Sequence, residues 1–400
     1  MAAPQASLPF TLLLGVLVAL TALGMDMFLP SVPVIARELG RAGGADPGAA
    51  QMTVTTYLFG LAIGQLAWGP VSDRFGRKPV LLCGLALFLT AAACGAAAGS
   101  VESLAAVRFA QGVGMSSGPV IARSIVRDLY AREQAAHLLA RMMAVFGVIP
   151  VAAPLIGGLA VALRSWQAVF WTYSTIAVAL LAAVTLGLRE TAPAERPSVS
   201  PGRMLHSYQT LFGDSRFRAA LFTMLMAQLG VIAFVSSAAL AMVQALRLTP
   251  TAFSVLFSAI MLGQIVGGVV SSRIGMQVGI QRMVRLGAVL AFAGGAVLAA
   301  LAMAGATHWS AVVLPMVLYL FGCSFMIPNT TAAALSPFPH MAGAASSLLG
   351  ALPFGLGALV SALLASAFDG SVRPMALAIC AFGLLAFVAE RLLFRKANHG

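Results

Sequence analysis

Gly69-Pro-Val-Ser-Asp-Arg-Phe-Gly-Arg-Lys78 stands between two long apolar runs. Its four charges, Asp73, Arg74, Arg77 and Lys78, need water while the residues on either side do not. The stretch therefore reads as a tight polar hairpin joining two membrane-spanning helices. Gly76 suits a reversal at positive φ, Pro79 suits the first turn of the next helix, and Gly69 suits the close approach of a neighbouring helix.

The spacing returns about 200 residues later as Gly268-Val-Val-Ser-Ser-Arg-Ile-Gly275, with Gly268 aligned to Gly69, Arg273 to Arg74, Gly275 to Gly76, and Ser272 in place of Asp73. An offset of half the chain predicts two homologous halves, an arrangement common among secondary transporters.

Composition agrees. Hydrophobic residues make up 60% and charged residues 9% of the 400, too few charges to clothe a soluble domain. Apolar runs about 20 residues long fall at 8–32, 49–71, 79–98, 102–122, 136–163 and 165–188, and again at 217–245, 250–272, 283–305, 309–334, 341–368 and 372–393. The expected fold is an all-α membrane protein of twelve transmembrane helices in two six-helix bundles related by pseudo-two-fold symmetry. The bundles span 1–188 and 216–400, with a cytoplasmic linker at 189–215 that holds Pro193, Pro197, Pro201, Glu190, Glu195, Arg196, Arg203 and Asp214. The first run lacks a basic leader and continues through Asp26, so it is expected to stay as a helix rather than be cleaved.

The net charge of +12 does not call for nucleic acid, because 18 of the 24 Lys and Arg lie in alternate gaps between the runs and in the tail. By the positive-inside rule the even-numbered loops and both termini are cytoplasmic. Cys83, Cys94, Cys323 and Cys380 show no metal-ligand spacing and read as small buried hydrophobes. His137, His206, His308, His340 and His399 fall in or near loops or in the tail, so no buried histidine relay is expected.

The hairpin resembles the signature loop of the major facilitator superfamily. Thr21 to Pro33, containing Gly-Met-Asp26-Met-Phe-Leu-Pro, is similar to the first helix of its drug:proton antiporters, and Phe338-Pro-His-Met-Ala-Gly-Ala-Ala-Ser-Ser347 to the tenth-to-eleventh helix junction of the bicyclomycin and chloramphenicol resistance (Bcr/CflA) family. The resemblance runs from about Leu8 to Leu393. It implies an antiporter of a bacterial inner membrane, a monomer among lipid, exporting small, mostly neutral amphipathic drugs such as chloramphenicol- or bicyclomycin-like compounds by alternating access. No cofactor is expected, protons being the coupling ion. The alternative is a proton-coupled transporter of a small metabolite on the same fold. A membrane enzyme would need a metal-binding acidic cluster or a nucleophile with its base, and the sequence offers neither.

Two ionisable residues lie inside spans: Asp26 in the first and Arg108 in the fourth. A charge at membrane depth is expensive and usually faces a cavity or a partner. Opposite helix directions put both toward the outer half, where they can meet. Desolvation favours a neutral Asp and a nearby cation favours its anion, so an Asp that alternates between such surroundings takes up and releases a proton; Arg stays charged and tunes it. A static ion pair between the first and fourth helices is the other reading. Family resemblance links these positions to coupling and substrate. Some relatives carry a second acid two turns earlier, where Val18 stands here, which favours exchange of one proton for a neutral or monocationic drug.

Phe146 to Gly158, with Pro150, Pro154, Gly157 and Gly158, resembles the antiporter motif of exporters, although Ala153 replaces its glycine. A kinked packing helix is the plain alternative. In the hairpin, the resemblance makes Asp73 and its basic neighbours a cytoplasmic latch, with Asp73 accepting from the N-terminus of a helix in the second half. Met25, Tyr57, Gln65, Gln111, Gln228, Gln264 and Asn329 are candidates to line the cavity, helix-to-helix packing and hydrogen bonding being their alternative.

Overall fold

The computed structural model describes residues 7–40, 47–192, 201–338 and 341–394. Arg41, the linker residues Pro193, Glu195, Arg196 and Pro197, Pro339, His340 and the tail with His399 lie outside the described residues. The chain divides into two compact units, Met1–Ser200 and Pro201–Gly400.

The first unit contains α1 (Leu8–Asp26), α2 (Val32–Glu38), α3 (Pro47–Phe75), α4 (Arg77–Ala96), α5 (Val101–Leu129), α6 (Arg132–Leu163) and α7 (Gln167–Gly187). α1 and α2 form one interrupted span joined by the short 3-10 turn Leu29–Ser31. Pro30 and Pro33 cause the break, since neither can donate to the carbonyl four residues back. The second unit contains α8 (Pro201–Gly213), α9 (Ser215–Ala245), α10 (Pro250–Val278), α11 (Ile280–Met303), α12 (Ser310–Leu335), α13 (Ala342–Ser366) and α14 (Arg373–Ala389), the last running into a π-helical turn, Glu390–Phe394. Among the described residues there are no strands. Among the described residues ten spans are long and apolar enough to cross a membrane. The remaining two long helices, α3 and α5, each of 29 residues, carry more polar side chains, including those of the site below.

The two units repeat one packing scheme. α5 packs on α3, α4 and α1, α7 on α4, and α6 on α1; correspondingly, α12 packs on α10, α11 and α9, α14 on α11, and α13 on α9. The repeat reaches individual glycines: Gly60 and Gly64 of α3 meet α5 as Gly263 and Gly267 of α10 meet α12, and Gly84 of α4 meets α5 as Gly287 of α11 meets α12. Small residues let backbones approach where lipid offers no hydrophobic drive for helices to associate.

Three expectations are corrected. Gly76 has φ +102° and caps α4, but its counterpart is Gly279, with φ +83° at the start of α11. α10 continues through Gly275 for one further turn before the chain reverses, so the sequence repeat and the turn are out of step. Among the described residues nothing lies within 4 Å of where a Gly69 Cβ would stand, so no described helix of its own unit requires glycine there. Finally, the interval 189–215 is only partly linker, because α8 is a helix packed on α9 and α13. Leu211 of α8 is buried with Phe217, Leu221 and Met224 of α9 and Leu348 and Leu349 of α13.

Candidate functional site

The break in the first span creates the site. In a continuous helix the Phe28 N–H would donate to the Gly24 carbonyl; here it donates to Met25 at 3.2 Å, leaving the Gly24 oxygen to side chains. Arg108 of α5 donates to it from Nη2 at 2.9 Å and the Tyr173 hydroxyl of α7 at 3.0 Å. One turn earlier, the Tyr57 hydroxyl of α3 donates to the Thr21 carbonyl at 2.8 Å, with Met115 Sδ 3.5 Å away. A Cβ at Gly24 would run into Met115 Sδ and the Tyr57 hydroxyl, so this glycine admits both.

Arg108 is wholly buried. Its guanidinium carbon lies 4.1 Å from the ring centroids of both Phe28 and Tyr57, and Nη1 donates to Gln111 Oε1 at 2.5 Å. Gln111 follows Arg108 by one helical turn, where side chains meet. Arg108 Nε and Gln111 Nε2 have no hydrogen-bond partner among the described residues. The ring sandwich and the two bonds replace much of the hydration that the buried cation has lost.

Asp26, the last residue of α1, is 6% exposed, and its carboxyl makes no hydrogen bond or ion pair among the described residues. It shares the neighbourhood of Arg108 but does not pair with it, so the static ion pair is not formed. The cation is taken instead by the carbonyl that the broken helix exposes.

Met25 and Tyr57 are buried in the same region. An aromatic chain backs it: Phe28 meets Phe170 at 5.8 Å, Phe170 meets Tyr173 at 6.0 Å, and Trp166 meets Phe170 at 5.9 Å. Trp166 Nε1 also donates to Glu38 at 2.8 Å, tying α7 to α2. The resembled antiporter stretch touches the break directly, because Gly157 of α6 lies against the Met27 backbone. Pro150 and Pro154 lie within α6, and Pro154, Gly157 and Gly158 are buried. Gln65 is buried further along α3. In the second unit Gln228 and Gln264 are half-buried, while Asn329 donates to Phe325 O at 2.8 Å and to Ser271 Oγ at 3.4 Å, joining α12 to α10.

In the hairpin, Arg77 is nearly buried and gathers three acceptors: Asp128 at 2.8 Å, Ser72 at 2.8 Å and Asp73 at 2.5 Å. Asp73 is thus held by Arg77 within its own unit. Glu190, just past α7, accepts from the backbone N–H groups of Arg77 at 2.9 Å and Lys78 at 3.2 Å, and from Thr191 and Ala192, both at 2.8 Å. Burial opposes its charge, but these four donors outweigh that and hold its carboxyl below the ordinary value. Lys78 Nζ donates to Thr185 O at 2.8 Å. Arg74 lies over the Phe75 ring at 5.3 Å.

Sequence reasoning missed Tyr173, Phe28, Asp128 and Glu190. Phe28 lies within the Asp26 stretch itself, and Glu190 is the acid that closes the sixth apolar run; those were the available signals.

The family model of the Major Facilitator Superfamily matches residues 14–362. The chain is 30% identical to multidrug resistance protein D of Escherichia coli, covering 99% of this chain and 98% of that one, and 29% identical to a bicyclomycin resistance protein homolog of Haemophilus influenzae, covering 96% of each. Its backbone also matches a crystal structure of a D-xylose-proton symporter with TM-score 0.77 at 15% identity, over 97% of this chain and 98% of that one. With its duplicated six-helix units, interrupted first span and signature hairpin, this multi-pass membrane protein belongs to the Major Facilitator Superfamily.

Proposed function

We propose that the chain is a proton-coupled exporter of small, mostly uncharged amphipathic drugs, set in a bacterial inner membrane with both termini in the cytoplasm. The observation that carries this reading is the Asp26 carboxyl, buried and without a hydrogen bond or ion pair among the described residues, on the span whose Gly24 carbonyl Arg108 holds. Charging or discharging Asp26 breaks no hydrogen bond. Arg108 stays charged, held between two rings and bonded to the Gly24 carbonyl two residues before Asp26. Drug and proton then compete for one neighbourhood, with Met25, Tyr57, Met115 and Phe28 as its apolar and aromatic walls. The names of the two bacterial relatives favour drugs over metabolites.

The test is antibiotic susceptibility of a pump-deficient host expressing the chain or its Asp26→Asn variant. Resistance to chloramphenicol- or bicyclomycin-like compounds that disappears in the variant, with membrane expression retained, is the expected result. Unchanged susceptibility with the native chain present would transfer the reading to a metabolite transporter.

A further inference from the structure

We infer that the second unit carries a site for an anionic phospholipid of the inner leaflet, separate from the transport site. A groove of about 770 Å³ is lined by Leu221 and Leu225 of α9, Leu352 and Leu356 of α13, and Leu392 and Leu393 of the π-helical turn, with Ser215 and Arg218 at its α8–α9 end. That volume lies within the range of small-molecule sites, roughly 300–1,000 Å³. The occupant follows from its chemistry. Among the described residues Arg218 is the only charged one lining the groove, and the rest of the wall is almost entirely hydrocarbon, which together describe an anionic head and an apolar tail.

The dimensions agree. From Ser215 to Leu225 the helix rises about 15 Å, half of a hydrocarbon core about 30 Å thick, so the groove accommodates an acyl chain of one leaflet. Arg218 is anchored through Nη1, which donates to Phe212 O at 2.6 Å and Gly213 O at 3.0 Å; Nε and Nη2 hold no hydrogen bond among the described residues and can meet a phosphate. The nearby acids do not compete. Asp214 is occupied by the N–H groups of Arg216 and Phe217 at 2.7 and 3.0 Å, and buried Glu390 faces Arg285 and Arg391 at 3.9 and 3.7 Å. Arg216, Arg273, Arg282, Arg285 and Arg391 lie on helix ends or turns at this same end of the unit, the end that the positive-inside rule assigns to the leaflet rich in anionic lipid.

The full-length chain in mild detergent is titrated with phosphatidylglycerol or phosphatidylcholine of equal chain length and read by native mass spectrometry. The first phosphatidylglycerol should bind about five-fold more tightly, the effect of one arginine at an anionic surface. Arg218→Gln should reduce it to the phosphatidylcholine level, and Leu225→Trp, which fills the groove while leaving Arg218 and its α8 bonds in place, should weaken both lipids. Equal binding of the two lipids by the native chain, or native phosphatidylglycerol binding in both variants, overturns the proposal. So does displacement of the bound lipid by chloramphenicol, or a dimer that Leu225→Trp dissociates, since the groove would then serve a drug or a second copy.

Discussion

Replacing Arg108 by Met separates a structural role from a functional one. The guanidinium lies 4.1 Å from two ring centroids, contacts that contribute up to about 2 kcal/mol each when desolvated, and makes two charge-assisted hydrogen bonds of roughly 1.5–3 kcal/mol each. Against these stands a desolvation penalty of several kcal/mol for a buried ion, so the opposing terms nearly cancel. Methionine keeps much of the volume, and Gly24 O keeps the Tyr173 hydroxyl at 3.0 Å. Gln111 loses its partner, which costs about 1–3 kcal/mol. Arg108→Met should therefore destabilise by that amount, about 2–4 °C per kcal/mol in a unit of this size, and adding Gln111→Leu should restore the melting temperature to within about 1 kcal/mol of native. Both variants should lose drug export. Thermal unfolding of the purified chain in detergent, paired with transport in vesicles, reads both quantities. A loss above about 5 kcal/mol that Gln111→Leu does not rescue, beyond what breaking a buried pair explains, would instead make Arg108 a structural strut.

The remaining predictions are more local. Gly157→Ala places a Cβ against the Met27 backbone and should lower stability by about 1–3 kcal/mol together with export, whereas Gly147→Ala on the same helix meets open space and should change neither. Glu190 has a depressed carboxyl value, so its stabilising contribution is complete above its ordinary value of 4.5 and is lost as pH falls through the lower folded-state value. Melting curves should accordingly fall more steeply below that pH in the native chain than in Glu190→Gln. Gly76→Ala, at φ +102° and ψ 158° and facing Glu190, should destabilise by about 1–3 kcal/mol.

Much of this was legible because charge is rare in the chain. Asp26 and Arg108 stand out in apolar runs, and the hairpin stands out because its charges interrupt two of them. What Arg108 binds was not legible: its acceptor is a backbone carbonyl released by a helix break, and a sequence shows side chains rather than unpaired carbonyls. Glu190 caps a helix that begins 113 residues earlier, a long-range pairing that spacing does not reveal. The repeat located both hairpins but misplaced the second turn, since Gly275 and Gly279 are one helical turn apart and only the backbone selects between them. α8 was hidden in a polar interval whose prolines resemble linker chemistry.

We propose Asp26 as the carrier of the proton exchanged for drug. The direct measurement uses proteoliposomes holding a pH-sensitive dye, with chloramphenicol added to the native chain and to Asp26→Asn. Compound-dependent proton movement, and drug accumulation under an imposed pH gradient, are expected in the native chain, and neither in the variant even where the variant still binds the compound. Gradient-driven accumulation at the native rate by Asp26→Asn would contradict that proposal.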